Sequence, residues 1–359
     1  MRLHSNQLKL LKHLCRYSLL SYEDCLALLD TAGTKDKVAL SYAFRPLTKN
    51  GYVSKRADGS VAILKKGRSL FPEEAILVST GGGMTERTRV MTVSRVAMWL
   101  EGIQIPSYGE RHDELQSPYF IPSACWRKIA PGILSTTRFT GILMSGKERL
   151  AVYDIGDGRM EWQVRAEGSL FYVRYGSFET KATGMVLICN PDSRNEVAKN
   201  IIQQTMWNRR HLLADSYAER NRPVSWSRSP IKLKANYEHV YLTTPSTLEE
   251  DLQMIFQSES IVRRQQGKAG KTQSPAQGDY EVWPNRVFVN PATDLLKLVY
   301  FLSAQKSLQQ SQASDSHEKT ALRHTLYCRK KDISILKMFP AAMEAKGTKL
   351  YVYQHQQDI

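Results

Sequence analysis

Asp154, Glu167 and the triplet Glu179-Thr180-Lys181 are the residues in this 359-residue chain whose types come nearest to metal-dependent chemistry. A restriction-like nuclease holds Mg²⁺ with an acid at one strand end plus an acid and a lysine two residues apart on the next strand, and the metal then positions the attacking water. Asp154 falls near the end of the apolar run Leu150 to Ile155, and Glu179 and Lys181 have the acid-x-Lys spacing. That triplet, however, falls in the turn before the strand Thr183 to Cys189, with another strand intervening, and the nearer Glu161-Trp162-Gln163 lacks the lysine. Asp154, Glu167, Glu179 and Lys181 with Mg²⁺ therefore define an alternative reading, a divalent-metal-dependent nuclease. The leading reading has no catalytic residue and no cofactor.

Other chemistries find less to work with. Gly81, Gly82 and Gly83 are not followed by the Gly-Lys-Ser/Thr of a phosphate-binding loop and read as a turn or hinge. The five cysteines, 15, 25, 125, 189 and 328, are far apart and have no zinc-ligand spacing, which fits buried, reduced thiols in a cytoplasmic protein. The eight histidines form no ligand cluster, and His239 beside Tyr241 reads as a half-buried strand residue. A relaxase would need a histidine pair beside its tyrosine. Around Tyr327, Arg323-His324 stand in the wrong order for a tyrosine recombinase, and no Gly-x-Ser-x-Gly elbow occurs.

Cations are the stronger signal. The net charge is +15, and a surplus of Lys and Arg favours a polyanion, because neutralising phosphates releases counterions. Between Thr31 and Leu70 there are nine Lys or Arg (35, 37, 45, 49, 55, 56, 65, 66, 68) against two acids, Asp36 and Asp58. No stretch approaches the roughly 18 apolar residues of a spanning helix, so no membrane partner is expected.

The elements that would position these cations are legible. Helical patterns cover Ser5 to Arg16 (Leu8, Leu11 and Leu14 spaced three apart), Tyr22 to Leu29, and Lys35 to Lys49. Two short strands then flank an Asp58-Gly59 turn, Gly51 to Arg56 leading in and Val61 to Leu64 leading out. Three helices and a basic hairpin read as a winged helix-turn-helix. Lys35, Lys37, Ser41, Tyr42, Arg45 and Lys49 would then face a major groove, Lys55 and Arg56 would anchor the wing, and Lys65, Lys66 and Arg68 would hold flanking phosphate. Val38, Leu40, Phe44 and Leu47 are left for the core.

Beyond the glycines, Thr85 to Glu101 reads as a helix, and the text then turns to strands at Tyr119–Ile121, Thr140–Met144, Leu150–Ile155, Met160–Val164, Ser169–Tyr175 and Thr183–Cys189, an antiparallel meander. Helical spacing over Arg194 to Leu213, Leu248 to Phe256 and Thr293 to Leu302 alternates with strands at Val240–Leu242, Val287–Val289 and Leu322–Arg329. The fold class is α+β, an N-terminal winged helix-turn-helix (1–78), a hinge and connecting helix (79–118), and a larger mixed α/β domain (119–359) with a largely antiparallel sheet. Polar stretches at about 257–279 and 303–317 read as flexible insertions.

Arg138-Phe139-Thr140-Gly141-Ile142-Leu143, Leu150-Ala151-Val152-Tyr153-Asp154-Ile155-Gly156, Met160-Glu161-Trp162 and Glu167, in that order, resemble the replication-relaxation family, as do Val287-Phe288-Val289-Asn290 and Asp294-Leu295-Leu296. The resemblance spans about Leu8 to Leu302. It implies a winged helix joined to an α+β domain, carried by bacterial plasmids and conjugative elements, and it carries over no catalytic motif. The residues themselves read as sheet core, with Gly141 at a close backbone approach. The expectation is a sequence-selective double-stranded DNA-binding protein of a mobile element, a homodimer acting in transcriptional regulation, replication or transfer. A third class is an adaptor for a relaxase or replication protein.

Overall fold

The computed structural model describes residues 3–30, 33, 36–74, 76–78, 83–100, 119–129, 138–145, 148–156, 182–202, 239–248, 250–252, 270–271, 280–282, 285–302, 305, 323–343 and 347–353. The chain divides into two compact units, Met1–Asp154 and Ile155–Ile359, and is a mixed α/β protein with antiparallel and mixed sheets. No helix among the described residues is long and apolar enough to cross a membrane.

The first unit opens with α1 (Ser5–Tyr17), whose start is tied by the His4 N–H donating to Gln7 Oε1 at 3.0 Å. Its buried face is Leu10, Leu11 and Leu14, while Leu8 lies at the solvent edge. Ser18, with φ 64°, turns the chain into β1 (Leu19–Ser21), a strand too short to show a period in the sequence. Ser21 then caps α2 (Tyr22–Leu29) by accepting from the Asp24 N–H at 3.0 Å, and Glu23 and Asp24 sit where the helix dipole favours acids.

Helix α3 (Lys37–Lys49) starts two residues later than the periodicity predicts, because Asp36 Oδ1 accepts from the N–H groups of Val38 at 2.9 Å and Ala39 at 3.2 Å and so acts as the cap. Strands β2 (Val53–Lys55) and β3 (Ser60–Ile63) form the hairpin, and β1 adds to it in the antiparallel order β1-β3-β2. The turn closes with the Gly59 N–H on the Arg56 carbonyl at 3.1 Å and the Arg56 N–H on the Ser60 carbonyl at 2.8 Å; Gly59, at φ 79°, takes the left-handed position. A single apolar cluster from all these elements, including Leu11, Leu14, Leu26, Phe44, Leu47, Val53 and Val61, forms the core.

Behind the hairpin, α4 (Lys65–Arg68) is followed by α5 (Met84–Trp99), whose Val90, Val93, Val96 and Ala97 are buried. Helix α5 packs on α1 and β1 and also on β4 (Tyr119–Pro122) and β5 (Phe139–Ser145), with α6 (Ser123–Ile129) between those strands in sequence. His13 Nε2 lies 3.0 Å from both the carbonyl and hydroxyl of Ser94. Strands β4, β5 and β6 (Glu148–Gly156) pair antiparallel, as the meander reading expects. Gly141 is needed there, since a Cβ would collide with the Ile121 carbonyl oxygen and the Phe120 ring.

The expectation of a largely antiparallel sheet over 119–359 holds for β4 to β6 but not throughout, because the second unit contains parallel pairs as well. Strand β7 (Ala182–Cys189) pairs parallel with β8 (His239–Thr243), while β11 (Asn285–Val289), β12 (Arg323–Arg329) and β13 (Thr348–Tyr353) pair parallel with one another. The reason is connectivity. Helical residues 194–202 follow β7 and 295–302 follow β11, and a helical crossover returns the chain in the same direction. Among the described residues, β10 (Tyr280–Val282) and then β9 (Gly270–Lys271) extend the β11 edge antiparallel. Two described pieces of the expected insertions are ordered into this unit: β9 itself, and Gln305, which is buried and donates to Thr348 Oγ1 at 2.5 Å. The expected strands Met160–Val164 and Ser169–Tyr175 lie outside the described residues.

Candidate nucleic-acid interface

Helix α3 has two opposed faces. At about 100° per residue, Leu40, Phe44 and Leu47 fall within about 60° of arc, and Val38, Tyr42, Arg45 and Lys49 fall within another arc of similar width on the opposite side. The first set is buried or half-buried in the core, and the second is exposed, Val38 at 65% and Tyr42 at 62%. Val38 is thus exposed, contrary to the expectation that it belongs to the core. It stands about 180° from Leu47, and that phase was the available signal.

Lys37 is exposed at the first position of α3, and Lys49 is exposed at the last. The Arg45 guanidinium carbon lies 5.3 Å from the centroid of the Tyr42 ring, which holds the cation along the stripe. Ser41 is half-buried at its edge, and its hydroxyl accepts from the Tyr22 hydroxyl at 3.2 Å. Lys35 lies outside the described residues.

The hairpin is fastened to this helix by Tyr22, a residue that sequence reasoning passed over. Its N–H donates to the Gly59 carbonyl at 3.0 Å, its ring meets Phe44 edge-on with centroids 5.1 Å apart, and the Lys55 Nζ lies 3.5 Å from its centroid. Lys55 on the ring face and Ser41 at the hydroxyl therefore share one aromatic side chain. Nothing in the sequence marks a lone tyrosine for this role, since only folding brings hairpin and helix to its two sides. Asp58 at the turn is paired with Arg87 of α5, 3.6 Å apart. Hydrogen bonds from the Ser60 hydroxyl and N–H hold its carboxyl below the usual range.

The remaining cations divide. Lys65 is exposed, and Arg56 is half-buried. The exposed Lys66 donates to the Asn50 carbonyl at 3.0 Å and lies 4.8 Å from the Tyr52 ring centroid, near the end of α3. Arg68 is half-buried and donates to Ser18 Oγ at 3.1 Å, so it braces the α1–β1 corner.

Asp154 is nearly buried, with its carboxylate 2.5 Å from the Arg95 guanidinium of α5. Arg95 also lies over the Trp99 ring. A divalent cation at Asp154 would have to displace this guanidinium. Glu167, Glu179 and Lys181 lie outside the described residues, and among the described residues no three His, Cys, Asp or Glu side chains converge to hold a metal.

The second unit contains a separate ionic network. Arg329 at the end of β12 reaches Asp251 at 2.6 Å, Asp332 at 2.7 Å and the Thr293 hydroxyl at 2.9 Å, while Arg194 reaches Asp332 at 2.5 Å. Asp251 also accepts from Thr243 at 2.6 Å and Thr247 at 2.8 Å. Burial pushes the Asp251 carboxyl up, but Arg329 and Lys331 outweigh it and leave the group ionised below the usual range. The cluster acts as a clasp joining the segments after β7, β8, β11 and β12. His239 is likewise engaged, half-buried with Nδ1 2.8 Å from Asp294 and its ring stacked on Tyr241.

Comparison with known protein families, with curated proteins and with solved structures returned no match.

Proposed function

We propose that residues 1–78 are a winged helix-turn-helix and that the protein binds double-stranded DNA through α3 and the β2–β3 hairpin. The observation that carries this reading is the exposed stripe Val38–Tyr42–Arg45–Lys49, set opposite the core, with the Lys55 ammonium fastened beside it by Tyr22. A helix presented in this way fits a major groove, and a cationic hairpin fits the adjoining backbone. Arg45 is the base reader, Lys37, Lys49, Lys55, Lys65 and Lys66 are phosphate contacts, and Arg68 supports the scaffold.

The wider reading is a sequence-selective regulator, replication or transfer protein of a mobile element, in keeping with the resemblance to the replication-relaxation family. In this reading the second unit pairs two copies or receives a relaxase or replication protein. Strand β13 supports pairing, because Leu350, Tyr351 and Val352 are exposed on a strand that ends its sheet among the described residues. The nuclease alternative draws no support from Asp154, whose charge Arg95 already meets.

Titrating fluorescent random-sequence duplexes with the full chain across salt concentrations tests the proposal. Affinity should fall steeply and linearly in log–log form as salt rises. Binding that is absent, or indifferent to salt, would overturn it.

A further inference from the structure

The α3 stripe is not uniformly basic. Its C-terminal half carries Arg45 and Lys49, but its N-terminal half presents Val38 and Tyr42, among the most exposed large apolar side chains in the described protein. Single exposed apolar residues need no explanation. Here two stand at i and i+4, about 40° apart on the helix, with a basic rim along the helix made by Lys37, by Arg45 over the Tyr42 ring and, two turns beyond Tyr42, by Lys49. The rim selects a polyanion, so the apolar patch must meet the apolar surface that a polyanion offers. In a duplex major groove that surface is the 5-methyl group of thymine.

We infer that Val38 and Tyr42 form a binding site for thymine methyl groups, biasing α3 toward A·T-containing steps. This rests on the DNA-binding reading above and adds a specificity to it. Three features favour methyl contact over stacking with an unpaired base. Val38 has no ring, the Arg45 guanidinium lies over the Tyr42 ring, and the N-terminal half of a recognition helix is the part that approaches base edges. Each methyl seated against the pair leaves water, worth about fourfold in affinity.

The test uses the full chain and four 30-bp probes: alternating dA-dT, the same duplex with deoxyuridine for thymidine, alternating dG-dC, and its 5-methylcytosine form. The wild type should bind the thymine duplex several-fold tighter than the uracil duplex and should gain on cytosine methylation. Val38→Ser and Tyr42→Ser, both at exposed positions and checked for folding by circular dichroism, should abolish the two differences. Lys55→Ala should weaken all four probes together and leave the ratios intact. Equal affinity for thymine and uracil duplexes, with salt-dependent binding retained, would overturn the methyl site alone. Absence of salt-dependent binding to every duplex would overturn the DNA reading itself. Tighter binding of single-stranded oligo-dT that depends on Tyr42 would assign the pair to base stacking and overturn the methyl site.

Discussion

The Lys55 ammonium rests 3.5 Å from the centroid of the Tyr22 ring, whose hydroxyl donates to Ser41 on α3. A cation held this way loses little rotamer freedom on meeting a phosphate. Lys55→Ala should therefore lower affinity for every duplex sequence about equally and reduce the salt slope by about one, in anisotropy titrations at several salt concentrations. An unchanged slope would remove Lys55 from the interface.

Arg45→Ala should behave differently. If Arg45 reads a base edge, its loss should cost about 1–3 kcal/mol on a duplex selected from a random pool, with a smaller loss on unselected DNA. Parallel losses on both would make Arg45 a phosphate contact only.

The clasp around Arg329 makes a prediction about stability. Asp332→Ala would leave the buried Arg329 and the half-buried Arg194 short of an acceptor and should destabilise the second unit by about 3–5 kcal/mol. Glu250→Ala removes only an exposed acceptor at the edge of the network and should cost about 1 kcal/mol or less. Urea unfolding of the two variants would separate them, and similar midpoints would contradict the assignment.

His324 is almost fully buried between the edges of Phe288 and Phe301, with Arg286 adding repulsion. Burial first, and then Arg286, lower its pKa from 6.5 to about 4. Burial likewise holds His13 at about 4. With the folded pKa depressed, the unfolded chain binds the extra proton. The stability these residues contribute is complete above about pH 6.5 and drains away as pH falls toward 4. His324→Phe, which keeps an aromatic ring in the same slot, should flatten the pH dependence of the melting temperature across that window. An unaltered slope would show that His324 does not titrate there.

Leu350, Tyr351 and Val352 predict self-association through β13. An antiparallel pair of these strands centred on Tyr351 would place Leu350 opposite Val352 and keep the two Lys349 side chains apart. Tyr351→Lys should shift the protein toward monomer in sedimentation velocity, by placing like charges face to face. A wild-type monomer at tens of micromolar would reject the pairing.

Hydrophobic period, capping residues and turn chemistry are local, so α1, α2, the Asp58-Gly59 turn and the strands β4 to β8, β11 and β12 could be read directly from the sequence. The five buried thiols and the close approach at Gly141 were legible for the same reason. The cationic set of α3 and the hairpin could be read too, because charge needs no fold to be counted.

Which of those cations face outward was decided by tertiary structure. Arg68 turned to Ser18 and Lys55 settled on Tyr22. Each outcome depends on a partner distant in sequence, and no window of neighbouring residues contains that partner. Strand direction in the second unit was likewise decided by crossover connections rather than by the strands' own residues. The Arg329 clasp exists only because segments some 140 residues apart, such as those holding Arg194 and Asp332, meet at the strand ends.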